Sequence, residues 1–303
     1  MSRRRMLWLA VPLAGIAELG AYYYFSRRAP GVDEWASLRE PVAALRKTDE
    51  LVVVAPRWAD PLARQALGDS LMPLADVARP DETRYARAIE ISAMGERAPE
   101  LAGWRPVSEE RHGRFRLRTL QNPAPEPVSF DFVDHLKPEH AKVFEGAKPC
   151  AWNANAAISS GGLGGNPTFP AQRFMCPAGE WFFAGVTVID DHREYRPRRC
   201  IWAHPPPGAP LRLRFERVPL GKKIRGYGGL PWLLFRDSVG APPVEIEVRV
   251  AGTSIGTYSH RDEQGFAPFS FDTGRAGETH EVEIEVRSSV VKDRHFCFQA
   301  DTR

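Results

Sequence analysis

Apolar and polar positions follow three regimes along this chain. From Met6 to Phe25 the run is almost continuously apolar, with Glu18 its one charged residue. From about 34 to 147, helical spacing and two-residue alternation take turns. Beyond about 148, nearly every patterned segment alternates with period two. Alternation of that kind predicts half-buried strands, and apolar residues recurring every three to four positions predict helices.

The first regime is about long enough to cross a bilayer as a helix of roughly 20 residues. Arg3, Arg4 and Arg5 precede it, Tyr22, Tyr23 and Tyr24 sit near its far end, and Arg27 and Arg28 follow. Basic flanks and an aromatic belt suit a membrane interface. The run lacks the small-x-small site of a cleaved signal peptide. Residues 1–28 are therefore expected to form an uncleaved single-pass anchor, with the N-terminus inside. Ala14, Glu18 and Ala21 share one helical face, which suits packing against a partner helix.

In the second regime, Trp35, Leu38, Val42 and Leu45 predict an amphipathic helix over 34–47. Residues 51–56 (LVVVAP) read as a short buried strand. Asp60-Pro61 marks a helix start, with the helix running to about Gly68 or Leu71. A strand over 84–92 completes a parallel strand–helix–strand unit. Residues 115–120 and 128–133 alternate strictly and read as an antiparallel pair, and 137–147 as a short helix. The expected domain over 29–147 is thus a small α/β unit.

The third regime offers strands at 181–189, 200–204, 211–218, 244–250, 253–260, 266–273, 280–288 and 294–300. In LRLRFERV, Leu211, Leu213 and Phe215 point inward and Arg212, Arg214 and Glu216 outward. Many short antiparallel strands joined by turns predict a two-sheet β-sandwich over 148–303. The overall expectation is a mixed α+β chain: one N-terminal membrane helix, an α/β domain and a jelly-roll-like sandwich.

Charge and cysteine content sharpen this picture. Charged residues make up 26% and hydrophobic ones 43% of the chain, which is globular, and a net charge of +3 gives no case for nucleic acid. All four cysteines (Cys150, Cys176, Cys200 and Cys297) fall in the second half. They lack the C-x2–4-C spacing of a zinc site. In an exported domain they suit two disulfides, for which three pairings exist. Cys150–Cys176, closing a glycine-rich loop, and Cys200–Cys297, tying an early strand to the last, are the favoured pair.

The segments VPLGKKIRGYGGL (218–230), VEIEVRVAGTSIGTYSH (244–260) and GFAPFSFDTG before a final VEIEV strand resemble the galactose-binding-like jelly roll of many carbohydrate-binding modules. That resemblance implies a sandwich and a sugar ligand. DELVVVAPRWADPLARQALGD (49–69), RYARAIEI and ERHGRFRLRTLQNP (110–123) resemble the extracytoplasmic domain of bacterial polyprenol-phosphate-sugar glycosyltransferases. The polytopic catalytic region and its external acidic residues have no counterpart, so transferase activity is not implied.

No G-x-S-x-G elbow or H-E-x-x-H pair occurs, and Ser159–Gly165 lacks the context of a phosphate loop. A catalytic site would have to be dispersed around His204 and the Asp190–Glu194 cluster, which reads more simply as a charged turn. Trp202 reads as core beside the Cys200 disulfide. No cofactor or metal is called for. Sugar binding needs aromatic faces and in-plane polar groups, and Arg225, Tyr227, Trp232, His260 and Asp262 are the candidates, carried on loops at one sandwich end. The expected protein is a periplasm-facing, inner-membrane accessory of a bacterial envelope glycan or lipid-linked-sugar pathway. The alternative is a structural subunit of a membrane complex.

Overall fold

The computed structural model describes residues 3–26, 29–48, 50–157 and 169–303. Arg27, Arg28 and the glycine-rich stretch 159–165 lie outside the described residues. The chain divides into two compact units: Met1–Asp76 with Tyr85–Pro125, and Val77–Arg84 with Glu126–Arg303.

The first helix, α1, runs Arg3–Ser26 and carries Pro12 inside it. Residues 11–24 are exposed along it, including Ala14, Glu18 and Ala21, the three expected to meet a partner helix. Among the described residues no helix is long and apolar enough to cross a membrane. Helix α1 coincides with the run expected to span a membrane.

Helix α2 (Val32–Ala36) and helix α3 (Arg39–Leu45) replace the single helix expected over 34–47. They still bury Trp35, Leu38 and Val42. Strand β1 (Leu51–Ala55) is wholly buried and pairs in parallel with β2 (Arg87–Ala93), as the alternation predicts. Helix α4 (Asp60–Leu67) stops at Gly68, whose φ of 86° only glycine adopts freely. Helix α5 spans Leu74–Val77. Strands β3 (Arg105–His112) and β4 (Phe115–Gln121) form an antiparallel hairpin, and the sheet order is β1-β2-β4-β3. So β4 pairs with β2 and β3, not with residues 128–133 as expected. β3 is almost entirely exposed, so it has no buried face to impose an apolar alternation.

The second unit is the sandwich. Its strands are β5 (Phe130–Asp131), β6 (Ala141–Glu145), β7 (Lys148–Pro149), β8 (Ala151–Asn153), β9 (Arg173–Met175), β10 (Phe183–Asp191) and β11 (Arg196–Ala203). They continue with β12 (Leu211–Pro219), β13 (Lys223–Gly229), β14 (Val244–Val250), β15 (Thr253–His260), β16 (Ala267–Asp272), β17 (Thr279–Arg287) and β18 (Cys297–Thr302). A short helix, α6 (Trp232–Phe235), follows β13. One sheet has the order β16-β13-β18-β11-β10-β9-β8, with β5 also pairing β18; the other runs β15-β14-β17-β12-β6-β7. Their facing sides share one apolar core that includes Phe174, Ile201, Phe298, Leu213, Phe215, Ile246 and Ile284.

Two elements depart from expectation. Residues 141–145 form a strand against β12, not part of a helix over 137–147, because Ala141 and Val143 both turn into the core. Segment 223–229, expected as a loop-like connection, is a central strand between β16 and β18. Its glycines face inward, where a Cβ on Gly226 would lie 2.3 Å from Phe269 and one on Gly228 2.4 Å from Phe296. The aromatic rings occupy the space that side chains on those residues would need.

The outward side of the β13–β18–β11 sheet is covered too. Segment 77–84 lies against it. The Arg199 backbone N–H donates to Ala78 O at 2.8 Å, and the Arg198 guanidinium donates to Arg79 O at 2.8 Å. Asp81 accepts from Arg303 at 3.2 Å and lies 3.7 Å from Arg225. Burial by itself raises the Asp81 pKa, but Arg303, Thr83 and Arg225 outweigh it and hold the carboxyl below its ordinary value. Arg84 closes the segment on Asp131 at 2.9 Å.

Both expected disulfides form, Cys150–Cys176 and Cys200–Cys297, and there is no free cysteine among the described residues. The second closes 97 residues against 26 for the first. A chain-entropy account gives about 3.5 kcal/mol for the shorter loop and about 4.7 for the longer. Paired Cys→Ser variants should therefore rank in that order in denaturant melts; equal or reversed losses would contradict it. Asp81→Ala should cost about 1–3 kcal/mol, because it removes a charge-assisted acceptor of the buried Arg303 side chain, which keeps Asp301. A loss under about 1 kcal/mol in the same melts would show that Asp81 does not hold the segment.

Candidate functional site

One open cleft of about 790 Å³ lies within the sandwich unit. Its lining comes from five stretches. The connection from β5 to β6 supplies Val133, Asp134, Leu136 and Lys137. Strand β8 and the residues after it supply Trp152, Ala154 and Asn155, and the lead into β9 supplies Pro170, Ala171 and Gln172. Val186 of β10 and Arg199 of β11 complete it.

Local structure explains each placement. Trp152 pairs across β8–β9 with Phe174, so both rings lie on one face, 4.8 Å apart and edge to face. Phe174 is buried in the core and Trp152 only partly so. The Cys150–Cys176 bond flanks this strand pair and braces it. On β11, side chains alternate: Arg198 turns out to segment 77–84, while Arg199 turns into the cleft. There it donates to Asp134 at 2.7 Å. The cleft thus joins a half-buried indole, two amides (Asn155 and Gln172) and an ion pair. Flat aromatic area with a few convergent polar groups is the usual lining of a small-molecule site.

The residues expected to bind ligand sit elsewhere, and none of the five lines this cleft. Arg225 and Tyr227 are on the outward face of β13, strand-borne where loops were expected. Arg225 donates to the Tyr227 hydroxyl at 3.1 Å and to Glu126 at 3.0 Å. Burial and nearby Asp81 push the Tyr227 phenol up to about 12. His260 ends β15, is 1% exposed, and its Nδ1 lies 2.9 Å from the Tyr258 hydroxyl. Asp262 pairs with Arg294 and accepts from the Gly240 N–H at 2.7 Å. Trp232 opens α6, is 40% exposed and stacks on His192 at 5.4 Å. Arg225 and Tyr227 meet each other; Asp262 and His260 have separate partners.

The other residues weighed for chemistry are engaged structurally. Asp191 and Glu194 both accept from Arg198, at 3.1 and 2.6 Å. His204 is buried, donates from Nε2 to Val291 O at 3.0 Å and packs against His295 at 4.2 Å. Trp202 is fully buried and stacks on Phe183. The cleft residues escaped the sequence reading because they come from separate stretches of irregular chain. The readable signal was the AWNAN string: a lone Trp beside amide side chains, two residues after a cysteine.

The fold and site define a disulfide-braced β-sandwich with an open, aromatic-lined cleft. No protein-family profile matches the sequence, and no curated protein matches it significantly. The CBM51-2 and INT domains of ZmpB from Clostridium perfringens are similar in structure, at 10% identity, 52% of this chain, 31% of that chain and a TM-score of 0.30. The same domains with GlcNAc bound to CBM51-2 give 11%, 66%, 41% and 0.32. The tandem CBM51 modules of Sp3GH98, a family 98 glycoside hydrolase from Streptococcus pneumoniae, give 12%, 75%, 74% and 0.28. The chain thus spans well under half of the first two structures. Every TM-score lies below 0.5, so these likenesses carry no functional argument. The expected likeness of the N-proximal part to glycosyltransferase domains finds no support among them.

Two buried histidines, His204 and His260, and the half-buried His295 set a pH dependence. Burial lowers the pKa of His260 to about 4, with Arg294 adding to the shift and Asp262 opposing it. Burial, His204 and Arg294 lower that of His295 to about 3, and burial lowers that of His204. An unfolded histidine titrates near 6.5. Below that pH the unfolded chain binds protons that the folded one refuses, so stability rises with pH. The histidine contribution is complete above about pH 6.5 and is lost as pH falls toward 4 and 3. Asp131, raised chiefly by burial, runs the opposite way near its own titration. Thermal melts should show Tm falling from pH 7 to 4.5, as each histidine removes up to about 1.4 kcal/mol of stability per pH unit. A flat or inverted profile would contradict this.

Proposed function

We propose that the sandwich unit binds carbohydrate in the Trp152 cleft, as an extracytoplasmic accessory of a bacterial envelope glycan pathway. The observation that carries this reading is the meeting of the Trp152 indole with Asn155, Gln172 and the Asp134–Arg199 pair in one open cleft. An indole offers an apolar face to the C–H side of a sugar ring. Amide, carboxylate and guanidinium groups around it supply donors and acceptors for hydroxyls. The mixture suits a polar ligand with one apolar face better than a wholly apolar one. Two disulfides support work in an oxidising compartment.

A second role beside it has its own support. Val11, Leu13, Ile16 and Leu19 are each at least 59% exposed on α1, and exposed apolar area of this kind suits a protein partner. Such contact would attach the glycan-binding unit to an assembly without changing what the cleft does.

Glycan-array binding with Trp152→Ala and Trp232→Ala variants separates the two aromatic sites. Trp152→Ala should weaken glycan binding by about tenfold or more, the loss of a well-packed aromatic anchor, while cooperative melting persists. Trp232→Ala should bind as the parent does. Unchanged binding in Trp152→Ala, or loss confined to Trp232→Ala, would move the site away from this cleft.

A further inference from the structure

The ionic lining of the cleft bears on which sugar it takes. Three charged side chains line it: Asp134, Lys137 and Arg199. Asp134 and Arg199 meet at 2.7 Å, with their side chains 52% and 25% exposed. Partly exposed pairs of this kind are weakly held. The Lys137 side chain is exposed and makes no ion pair among the described residues. The lining therefore carries one positive charge in excess, beside the Trp152 ring.

We infer that the cleft is built for a saccharide bearing a carboxylate, such as a uronic or sialic acid residue; this rests on the carbohydrate reading above. A guanidinium offers five N–H donors in a planar fork, and Asp134 accepts only one of them at hydrogen-bond distance. The fork matches a carboxylate, and a charge-assisted bond to it is stronger than one to a hydroxyl. In the free protein Asp134 holds the guanidinium that a ligand carboxylate would take. Lys137 then neutralises the incoming charge, while Trp152 receives the apolar ring face. A neutral sugar would leave Lys137 without a counter-charge and would gain no advantage over Asp134 in reaching Arg199.

Asp134 accordingly acts as a competitor for the ligand's acidic group, and this gives its substitution an unusual sign. If the cleft recognised neutral hydroxyls, Asp134 would be an acceptor and its loss would weaken binding. If it recognises a carboxylate, removing the Asp134 charge should strengthen binding.

The test uses the full chain and three probes: oligogalacturonate, a hyaluronan tetrasaccharide and sialyl-lactose. Each is titrated calorimetrically as the free acid and as its methyl ester, which keeps the ring and removes the charge. The expected result is that at least one acid binds about tenfold or more tighter than its ester, the scale of one charge-assisted hydrogen bond. Lys137→Ala should shrink that ratio, and Asp134→Asn should raise affinity for the acid. The acid preference should also weaken with added salt. Equal binding of acid and ester through Trp152, or weaker acid binding in Asp134→Asn, overturns the inference and leaves the carbohydrate reading standing. Absence of Trp152-dependent binding to any of these probes and to neutral glycans overturns the carbohydrate reading itself.

Discussion

A strand buried on both faces needs something to cover its second face, and here that cover is a short polar segment. Residues 77–84 lie across the outward side of the β13–β18–β11 sheet and are held by Asp81, Arg198, Arg225 and Arg303. Burying so many charges is costly unless each is matched. Asp301 helps by accepting from Arg303 at 2.7 Å, and Asp191 by accepting from Arg198. The Cys200–Cys297 bond joins β11 to β18 on this same covered face. Apolar burial inside and matched charge outside fix the position of β11 together.

That position matters because β11 presents opposite faces at successive residues. Arg198 is committed to segment 77–84, while Arg199 enters the cleft, so the covering segment indirectly orients the cleft cation. From the other side, the short β8–β9 pair carries Trp152 and is braced by Cys150–Cys176. Two covalent bonds thus bracket a site whose lining is otherwise irregular chain. Preorganised side chains lose less freedom when a ligand arrives.

Much of the sandwich was legible because its strands have one wet and one dry face. In β12, β14 and β17 the alternation of apolar and charged residues reproduces burial position by position. The disulfide pairing was legible from chain order. Other features were hidden for physical reasons. Glycines in β13 mimic a loop, but Phe269 and Phe296 fill the space above them. Residues 137–145 mimic a helix because Lys, Glu and Ala are good helix formers, yet Val143 and Ala141 pair into a sheet. The apolar run of α1 was legible as one long helix, Arg3–Ser26. The cleft was least legible, since its side chains converge only after the sheets form.

The central claim is that a sugar ring rests on Trp152 while its acidic group reaches Lys137 and Arg199. A crystal structure of the full chain with an oligogalacturonate tests this most directly. The account predicts sugar density against the Trp152 indole, with a uronate oxygen within hydrogen-bond distance of Arg199 or Lys137 and Asp134 turned away. Sugar density stacked instead on Trp232, or an Asp134–Arg199 pair unchanged beneath a bound ring, would contradict it.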